Sequence, residues 1–483
     1  MLCVTGAEKS WEALGARLAR VASQAGGASF LQEVRLDALD RPGEGLEEGL
    51  APWRDRLVVC CRPPRQGGAF AGSEEERLAL LARAAASGVA YLDLEEELPD
   101  AALSRLRSLG ARQLVLSHHD FDGLSPELLG RLERMASRPV DLVKLAARVD
   151  DAAELTALLE LGQRLGRPAI VIGMGLAGLL SRARYPAFGS PWTYVAAAAE
   201  LATAPGQLSL AAALELGLPE GARAPFVALL GGAQVAHSPG PVVYNRLFRR
   251  RGKAWSYLPV ASAEAAKSLA LLRRLGALGA SVTMPHKAAV LDGALLDERA
   301  RELGAANTLR FDGSETRATN TDVEGVAVPL GRALRGAALG ERPGCVALVQ
   351  GAGGAARAAA LACRELGLEV VVSARSRDRA ALAVALAGGR FVAWADRASL
   401  GAEVLVNATP LRDDGAWPAE APLPRVVFDL AIGPGASPLV ARSEREGARL
   451  LRPEEMWLHQ GATQMSFITG EPVDAEELRS LLP

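Results

Sequence analysis

Short apolar segments recur through the first 215 or so residues, and each ends at a polar residue that precedes an amphipathic stretch rich in Ala, Leu, Arg and Glu. The residues marking the segment ends lie 21 to 33 positions apart, which fits one strand and one helix together. Because eight such units follow one another, we predict an eight-stranded α/β (TIM) barrel, with an open doubly wound sheet as the alternative. The predicted strands are 2–5, 29–36, 57–61, 89–94, 113–117, 140–145, 169–172 and 192–196.

The second half of the chain begins after a Gly- and Pro-rich stretch, "GLPEGARAP", which we interpret as a linker. A new strand–helix series starts at "FVALLGG" and later reaches "CVALVQGAGGAARAAALA", where a predicted strand runs through a glycine turn into a helix. This order is typical of a Rossmann nucleotide-binding domain. The tail, 453–483, is predicted to be helical and to fold back on an earlier part of the second half.

The composition is that of an ordinary globular protein, with 49% hydrophobic and 23% charged residues and a net charge of −2. No basic run is present, so we expect neither nucleic acid nor a membrane surface as a partner. The five cysteines form no CxxC pair and the N-terminus lacks a signal-peptide core, so we predict a cytoplasmic protein. The five histidines show no metal-ligand spacing, and we expect no metal. The sequence leaves the oligomeric state open.

The stretch "VDLVKLA" is predicted to be a buried strand, yet it contains Lys144. A buried lysine is usually paired or reaches out to solvent. Strand alternation, however, also directs Glu33, Arg35, Asp93 and His119 toward the barrel interior. A structural ion-pair layer is the alternative for the charges on the second strand. The convergence of titratable groups from several strands favours a catalytic site at the barrel mouth.

The motifs "EVRLD", "CRPPRQGG", "SHHDF", "VKLA", "LLSRARYPAFGSPWTY" and "TAPGQ" resemble, in this order, those of type I 3-dehydroquinate dehydratases. The resemblance implies that Lys144 forms a Schiff base with the substrate ketone and that His119 is the general acid–base. It also implies that Arg182 binds the substrate carboxylate. The residues that would bind hydroxyl groups are Glu33, Arg35, Arg62, Thr203 and Gln207.

Physical chemistry supports these roles. A lysine attacks a carbonyl only as the neutral amine, and we expect Arg35 and Arg62 in a desolvated pocket to favour that form. One residue departs from the family pattern, because Gln66 occupies the position of the carboxylate that usually orients the catalytic histidine. An amide can hold the imidazole ring of His119 but cannot stabilise its cationic form. We therefore expect a less basic histidine and a lower rate.

The glycine turn of the second half is followed, one strand later, by "VVVSARSRDRA". A site for NAD would place an acidic residue at this strand end, where the chain has Arg375, Arg377 and Arg379 instead. Guanidinium groups suit a 2′-phosphate, so we predict NADP as the cofactor. A solvated basic turn is the alternative.

From about residue 226 onward the chain resembles shikimate dehydrogenases, through "ASVTMPHK", "GAANTL", "ATNTDVEG" and "NATP". The resemblance implies that Lys287 is catalytic and pairs with Asp322. The implied substrate ligands are Ser238, Thr283, Asn307 and Gln460, and the implied cofactor ligands are Gly351, Ala352, Gly353, Gly354, Ala355, Arg375, Ser376, Arg379, Asn407 and Thr409. Without the resemblance, Lys287 would be interpreted as a surface residue and Asp322 as a helix N-cap.

Two substrate hydrogen bonds of this second family are missing. The second serine of its "HSxSP" motif is Gly240, and the tyrosine after "FDLA" is Ile432. We hypothesise that Gly240 leaves room for the additional hydroxyl of quinate. A second alternative is a non-enzymatic sensor that keeps both ligand pockets, although Lys144, His119 and Lys287 are all present.

Together these patterns predict a fused enzyme of the shikimate pathway, which forms 3-dehydroshikimate from 3-dehydroquinate and reduces it to shikimate. The predicted domains are a barrel at 1–220, a shikimate-binding domain at 224–323 with 451–483, and a Rossmann NADP domain at 324–450.

Overall fold

The computed structural model describes residues 1–24, 30–339, 344–413, 415–433 and 435–482. Ser29 of the second predicted strand and Pro483 of the predicted tail lie outside these ranges. The chain forms two compact units, Met1–Ala277 and Leu278–Pro483. Among the described residues, no helix combines the length and the apolar character needed to cross a bilayer.

The first unit begins with eight parallel strands that alternate with helices. The strands are β1 (Leu2–Thr5), β2 (Phe30–Arg35), β3 (Leu57–Cys60), β4 (Tyr91–Glu95), β5 (Leu114–Asp120), β6 (Leu142–Arg148), β7 (Ala169–Met174) and β8 (Thr193–Ala196). The helices are α1 (Trp11–Gln24), α2 (Leu46–Leu50), α3 (Glu74–Ala86), α4 (Asp100–Ser108), α5 (Pro126–Ala136), α6 (Leu155–Arg164), α7 (Leu179–Ala183) and α8 (Leu210–Glu215).

The eight strands form a nearly closed barrel. Their hydrogen-bonded order is β7-β6-β5-β4-β3-β2-β1-β8, so the first strand pairs with both the second and the last. Side chains from alternate positions fill the interior, as the strand parity predicted. This interior cluster comprises Cys3, Leu31, Val58, Val115, Leu142, Ala146, Ile170, Ile172, Met174, Trp192 and Tyr194. The predicted barrel is confirmed.

The first unit also contains a parallel strand pair, β9 (Phe226–Gly231) and β10 (Ser256–Ala261), with helices α9 (Gly240–Arg250) and α10 (Ala265–Arg274). Arg184 attaches the segment before β9 to the barrel, because it donates hydrogen bonds to the carbonyls of Gly221 at 3.0 Å and Ala224 at 2.5 Å. The side-chain oxygens of Asp151 accept from the Ser262 hydroxyl and the Ala263 amide, both at 2.5 Å. This strand pair is therefore packed firmly against the barrel.

The second unit contains two sets of strands. The first set, β11 (Ala277–Val282), β12 (Leu295–Leu296), β13 (Thr308–Asp312) and β14 (Glu315–Thr319), is mixed, with antiparallel ladders β11–β13 and β13–β14. The second set is a parallel sheet with the Rossmann order β17-β16-β15-β18-β19-β20. Its strands are β15 (Val346–Gln350), β16 (Glu369–Ala374), β17 (Arg390–Ala393), β18 (Val404–Asn407), β19 (Val426–Asp429) and β20 (Arg449–Leu451).

The helices of the second unit connect these sets. They are α11 (Glu298–Leu303), α12 (Asp322–Gly336), α13 (Gly354–Glu365), α14 (Arg377–Ala387), α15 (Pro438–Glu446), α16 (Pro453–Thr469) and α17 (Ala475–Arg479). The tail is helical as predicted, and α16 packs on α12 at Gly325. A Cβ atom at Gly325 would lie 2.8 Å from the Cβ of Gln460. The glycine therefore allows the close approach that brings Gln460 to the start of α12.

Candidate active sites

The barrel mouth contains a cavity of about 60 Å³. Its walls come from the C-terminal ends of the strands and the loops that follow them, where such barrels place their chemistry. All eight residues that the sequence predicted for this site line the cavity: Glu33, Arg35, Arg62, His119, Lys144, Arg182, Thr203 and Gln207. The structure therefore brings together side chains that are up to 174 positions apart in the sequence.

Lys144 lies at the centre of this cavity, with only 4% of its surface exposed. Its Nζ is 3.1 Å from a carboxylate oxygen of Asp93 and 4.1 Å from the ring centroid of Tyr194. The sequence predicted that cations would surround this amine, but its nearest charged partner is an anion. The ring of Tyr194 covers the amine on another side, so the nucleophile is held in one position.

Arg62 competes with Lys144 for the same carboxylate. Its Nη2 is 2.5 Å from Asp93 Oδ2, and Glu33 and Glu95 lie within 4 Å of its guanidinium group. Burial alone would raise the pKa of Asp93, but Arg62, Lys144 and a hydrogen bond from Ser117 outweigh burial, and the pKa is below its usual value. Asp93 is therefore ionised, and Arg62 is the nearer of its two cationic partners.

His119 is oriented by Gln66. The amide oxygen of Gln66 accepts the backbone N–H of His119 at 2.8 Å and lies 3.3 Å from the ring Nδ1. Loss of water and the nearby cations Arg62, Lys144 and Arg35 hold the pKa of His119 well below its usual value. The imidazole is therefore neutral at pH 7. The lower basicity expected from Gln66 stays a prediction, because burial and the nearby cations account for this shift.

Arg182 is a buried cation without a carboxylate partner in the described part of the chain. Its Nε has no hydrogen-bond partner, and the guanidinium group makes one hydrogen bond to the described residues, from Nη2 to the carbonyl of Pro205 at 3.5 Å. Burial lowers the pKa of this guanidinium to about 10. Leaving such a group unpaired is costly, so an anionic ligand would be favoured at this position.

Thr203 and Gln207 form a second wall of the cavity. The amide oxygen of Gln207 accepts the backbone N–H of Thr203 at 2.8 Å, and the Thr203 hydroxyl lies 3.3 Å away. Because this oxygen is occupied, the amide N–H groups of Gln207 are the ones available to a ligand.

The second unit contains a different lysine–carboxylate pair. Lys287 Nζ is 2.6 Å from Asp322 Oδ2, and the other carboxylate oxygen accepts from the Asn307 side-chain amide at 2.8 Å. The same amide group lies 3.3 Å from the Gln460 oxygen. Thr321, not Asp322, is the N-cap of α12, so the carboxylate is free to bind the lysine. Four of the predicted residues therefore form one hydrogen-bonded cluster.

The local structure explains how this cluster forms. The backbone N–H of Ala306 donates to the carbonyl of Lys287 at 2.7 Å, which ties the lysine loop to the residue before Asn307. Thr283 follows β11 at the start of the same loop, and its carbonyl accepts the His286 amide at 3.0 Å. Backbone contacts therefore hold the loop in place before any ligand is bound.

Ser238 and Gly240 lie in the first unit, at the start of α9, where the serine Oγ accepts the glycine N–H at 3.1 Å. A Cβ at Gly240 would lie 3.0 Å from Tyr257 and 3.4 Å from Tyr244. The room that we expected beside Gly240 is therefore largely taken by two tyrosine rings. Ile432 is 81% exposed.

A cleft of about 790 Å³ lies along the C-terminal ends of the Rossmann strands. Gly351 has φ +122°, and a Cβ there would lie 2.7 Å from the carbonyl of Ala408, so only glycine fits. No ion pair engages Arg375 or Arg379 within the described ranges, which leaves both guanidinium groups available for a phosphate. Of the predicted cofactor residues, the cleft is lined by Gly351, Ala352, Gly353, Arg375, Ser376, Arg379 and Thr409.

The other three predicted cofactor residues are not among those that line the cleft. Gly354 and Ala355 are in the first turn of α13. Asn407 is fully buried, donates to Asp429 at 2.9 Å and accepts from the Thr409 hydroxyl at 2.6 Å. Asn407 therefore shapes the loop that lines the cleft.

Several residues of these sites were not assigned from the sequence. Alternation directed Asp93 toward the barrel interior but could not show that Asp93 and Tyr194 both contact Lys144. Trp394 lines the nucleotide cleft directly after β17, where no motif marks it. Glu96, Glu97 and His118 have ligand atoms within 4.8 Å of one another, and His118 points away from the barrel interior toward Glu96. The absence of a metal stays a prediction.

Two family models match the chain. The model described as type I 3-dehydroquinase matches residues 2–216, and the model described as shikimate dehydrogenase substrate binding domain matches residues 230–309. The bifunctional 3-dehydroquinate dehydratase/shikimate dehydrogenase, chloroplastic, of Arabidopsis thaliana is 27% identical over 480 residues, covering 92% of this chain and 78% of that protein.

Relatives with a single activity match each half separately. The 3-dehydroquinate dehydratase of Syntrophobacter fumaroxidans is 38% identical, covering 38% of this chain and 82% of that protein. The shikimate dehydrogenase (NADP(+)) of Oleidesulfovibrio alaskensis is 35% identical, covering 52% of this chain and 92% of that protein. The chain therefore belongs to the type I 3-dehydroquinate dehydratase family in its first half and to the shikimate dehydrogenase family in its second half.

Proposed function

We propose that this chain is a bifunctional enzyme of the shikimate pathway, which dehydrates 3-dehydroquinate and then reduces the product, 3-dehydroshikimate, to shikimate with NADPH. The observation that carries the proposal is a buried lysine, Lys144, in the same cavity as an unpaired buried guanidinium, Arg182. This combination suits a ligand with a ketone and a carboxylate.

In the barrel, Arg182 binds the substrate carboxylate and directs the ketone toward Lys144. The amine condenses with the ketone to form an imine and one water, and hydrolysis of the imine at the end releases the product and the lysine. While it exists, the imine withdraws electrons from the neighbouring carbon. His119 then removes a proton from that carbon and returns it to the departing hydroxyl. Because the imidazole is neutral before the reaction, it begins in the form that a base requires. Glu33, Arg35, Arg62, Thr203 and Gln207 bind hydroxyl groups of the ring.

In the second half, Lys287 stabilises and protonates the oxygen of the substrate ketone, while Asp322 fixes the position of the lysine. Asn307 orients Asp322 from the other side. Thr283 and Gln460 bind the substrate in the proposed site.

The nucleotide cleft fits NADP. When bound, NADPH supplies the reducing equivalent for the ketone. The glycine turn before α13 presents backbone N–H groups to the pyrophosphate, and Gly354 and Ala355 belong to this helix start. Arg375, Ser376 and Arg379 bind the 2′-phosphate. Thr409, held by Asn407, lines the nicotinamide end.

Neither alternative from the sequence is favoured. A ligand sensor does not require a lysine, a histidine and a lysine–aspartate pair arranged for catalysis, and all are in place. A preference for quinate would need room at Gly240, where the rings of Tyr257 and Tyr244 lie.

We assign the proposed domains as 1–220, 224–323 with 451–483, and 324–450. The proposed location is the cytoplasm, which is supported by five buried cysteines, among which no disulfide is formed in the described structure.

A coupled assay tests both activities together. Purified protein is supplied with 3-dehydroquinate and NADPH, and the loss of NADPH absorbance is followed. We expect steady NADPH consumption that requires both halves. Binding of both ligands without NADPH loss would contradict the proposal.

A further inference from the structure

Gln66 lies between His119 and an acidic side chain that the dehydratase motifs do not include. The Nε2 of Gln66 donates to Glu97 Oε1 at 2.9 Å, while its Oε1 faces the backbone N–H and the ring Nδ1 of His119. Gln66 is 4% exposed, so water cannot readily replace either contact. Glu97 lies in the loop after β4, and its side chain is 40% exposed.

Two independent contacts determine which end of the Gln66 amide faces the histidine. The backbone N–H of His119 can only donate, so it requires the amide oxygen at 2.8 Å. The carboxylate of Glu97 only accepts at neutral pH, so it requires the amide nitrogen on the other side. Both requirements give the same orientation, and Glu97 opposes rotation of the amide.

The orientation of the amide determines the tautomer of His119. Because Nδ1 faces an oxygen that can only accept, Nδ1 carries the ring proton in the neutral imidazole. Nε2 is then unprotonated and can act as a base. A hydrogen bond from the amide to a carboxylate also polarises the amide and makes its oxygen a stronger acceptor.

We propose that Glu97 is a positioning residue for the dehydration step, which acts on His119 through Gln66. The inference rests on the proposed function of the barrel. The negative charge of Glu97 is one side chain away from the histidine, because Gln66 lies between them. Gln66 transmits its effect through two hydrogen bonds.

The simpler interpretation is that Glu97 is a surface residue that only pairs with Arg65, from which it is separated by 3.9 Å. A half-exposed carboxylate is partly screened by water, so its effect on a neighbour is moderate. We therefore expect that Glu97→Gln lowers kcat for dehydration about 3- to 10-fold and leaves KM unchanged. Arg65→Gln is the matched control and should leave kcat unchanged.

A double substitution separates a positioning role from a structural one. Gln66→Glu alone places two carboxylates side by side, whereas Gln66→Glu combined with Glu97→Gln exchanges the two side chains. The exchanged pair should restore kcat to at least the wild-type value. It should also shift the acid limb of the kcat profile to higher pH, since a direct carboxylate stabilises the imidazolium of His119 while Arg62, Lys144, Arg35 and His118 are unchanged.

Two further measurements are made on every variant. Reduction of 3-dehydroshikimate by NADPH reports that the chain is folded, and borohydride trapping with 3-dehydroquinate reports Schiff-base formation at Lys144. An unchanged kcat in Glu97→Gln, or a lowered kcat that the exchanged pair fails to restore, would overturn the role of Glu97. If borohydride trapped no ligand at Lys144 in the wild-type protein, this result would instead count against the proposed function of the barrel.

Discussion

Both halves of the chain place a lysine against a carboxylate, but the surroundings differ. Lys144 is almost completely buried and shares Asp93 with Arg62, whose distance to the carboxylate is shorter, 2.5 Å against 3.1 Å. The side chain of Lys287 is 27% exposed and binds Asp322 at 2.6 Å, without a competing arginine among the described residues. The contrast shows how one residue type can serve two reactions. The amine of the barrel shares its carboxylate with an arginine, whereas the amine of the second half has a carboxylate of its own.

The largest expected effect is a separation of the two activities. Lys144→Met removes the nucleophile and should lower kcat for dehydration by about 10⁴-fold or more, while reduction of 3-dehydroshikimate remains at the wild-type rate. Each reaction is measured with its own substrate. A Lys144→Met protein that retained more than a small fraction of its dehydratase activity would show that the barrel does not use an imine.

Lys287→Met should give the reverse pattern. We expect kcat for reduction to fall on the order of 10²- to 10³-fold, because a positioned acid is lost, with dehydration unchanged. Asp322→Asn should produce a loss of the same kind, since the carboxylate accepts from both Lys287 and Asn307, and an amide has only one oxygen to accept with. Equal losses in both reactions would indicate a folding defect.

Arg182 sharpens the comparison because, unlike both lysines, it has no carboxylate partner among the described residues. Arg182→Leu should lower kcat/KM for dehydration about 100-fold, since the carboxylate loses a charged partner. The same substitution removes an unpaired buried cation, so the apparent Tm should rise by about 2–4 °C. Steady-state kinetics measures the first effect and calorimetry without substrate measures the second. A Tm lowered by the substitution would show that Arg182 is satisfied within the protein.

The nucleotide cleft offers a test with a smaller effect. Arg375→Ser should raise KM for NADPH about 10- to 100-fold and leave KM for NADH nearly unchanged. Arg379→Ser should act in the same direction. Arg377 carries the same charge and lies two positions from each of these arginines, but it packs over the ring of Phe391. Arg377→Ser is therefore the matched control. Parallel losses with both nucleotides would contradict binding of a 2′-phosphate.

The smallest expected effect concerns pH and stability. The pKa of His119 is lowered in the folded protein by burial and by nearby cations, so the unfolded chain binds more protons below about pH 6.5. The free energy of unfolding is therefore not reduced by His119 above that pH, and it decreases as the pH falls, because protons bind to the unfolded chain. His119→Asn should reduce this loss between about pH 7 and 5, as measured by urea denaturation. An unchanged pH dependence would contradict the neutral imidazole.

The fold was largely predictable because strand alternation and the repeat length are local properties. The ends of the strands were harder to predict. The strand at Lys144 runs to Arg148, three residues beyond its predicted end, because "AAR" contains no turn signal and continues to pair with β7. All eight residues predicted for the barrel site line one cavity.

The contacts between those residues could not be predicted. Asp93 lies 51 positions before Lys144, and their distance depends on barrel register and on competition with Arg62. Glu97 lies in a loop, whose conformation has no periodic signal in the sequence. The sequence could not show that the space expected beside Gly240 is largely occupied, because this depends on where the ring of Tyr257 lies. Motifs therefore indicated which residues meet, whereas side-chain packing determines how they are paired.

The most direct test of the account is borohydride reduction of the protein with 3-dehydroquinate, followed by mass analysis of its peptides. We expect the peptide that contains Lys144 to gain the mass of the reduced ligand, with the Lys287 peptide unchanged in the same sample. A Lys144 peptide at its unmodified mass, under conditions where the substrate is turned over, would contradict the account.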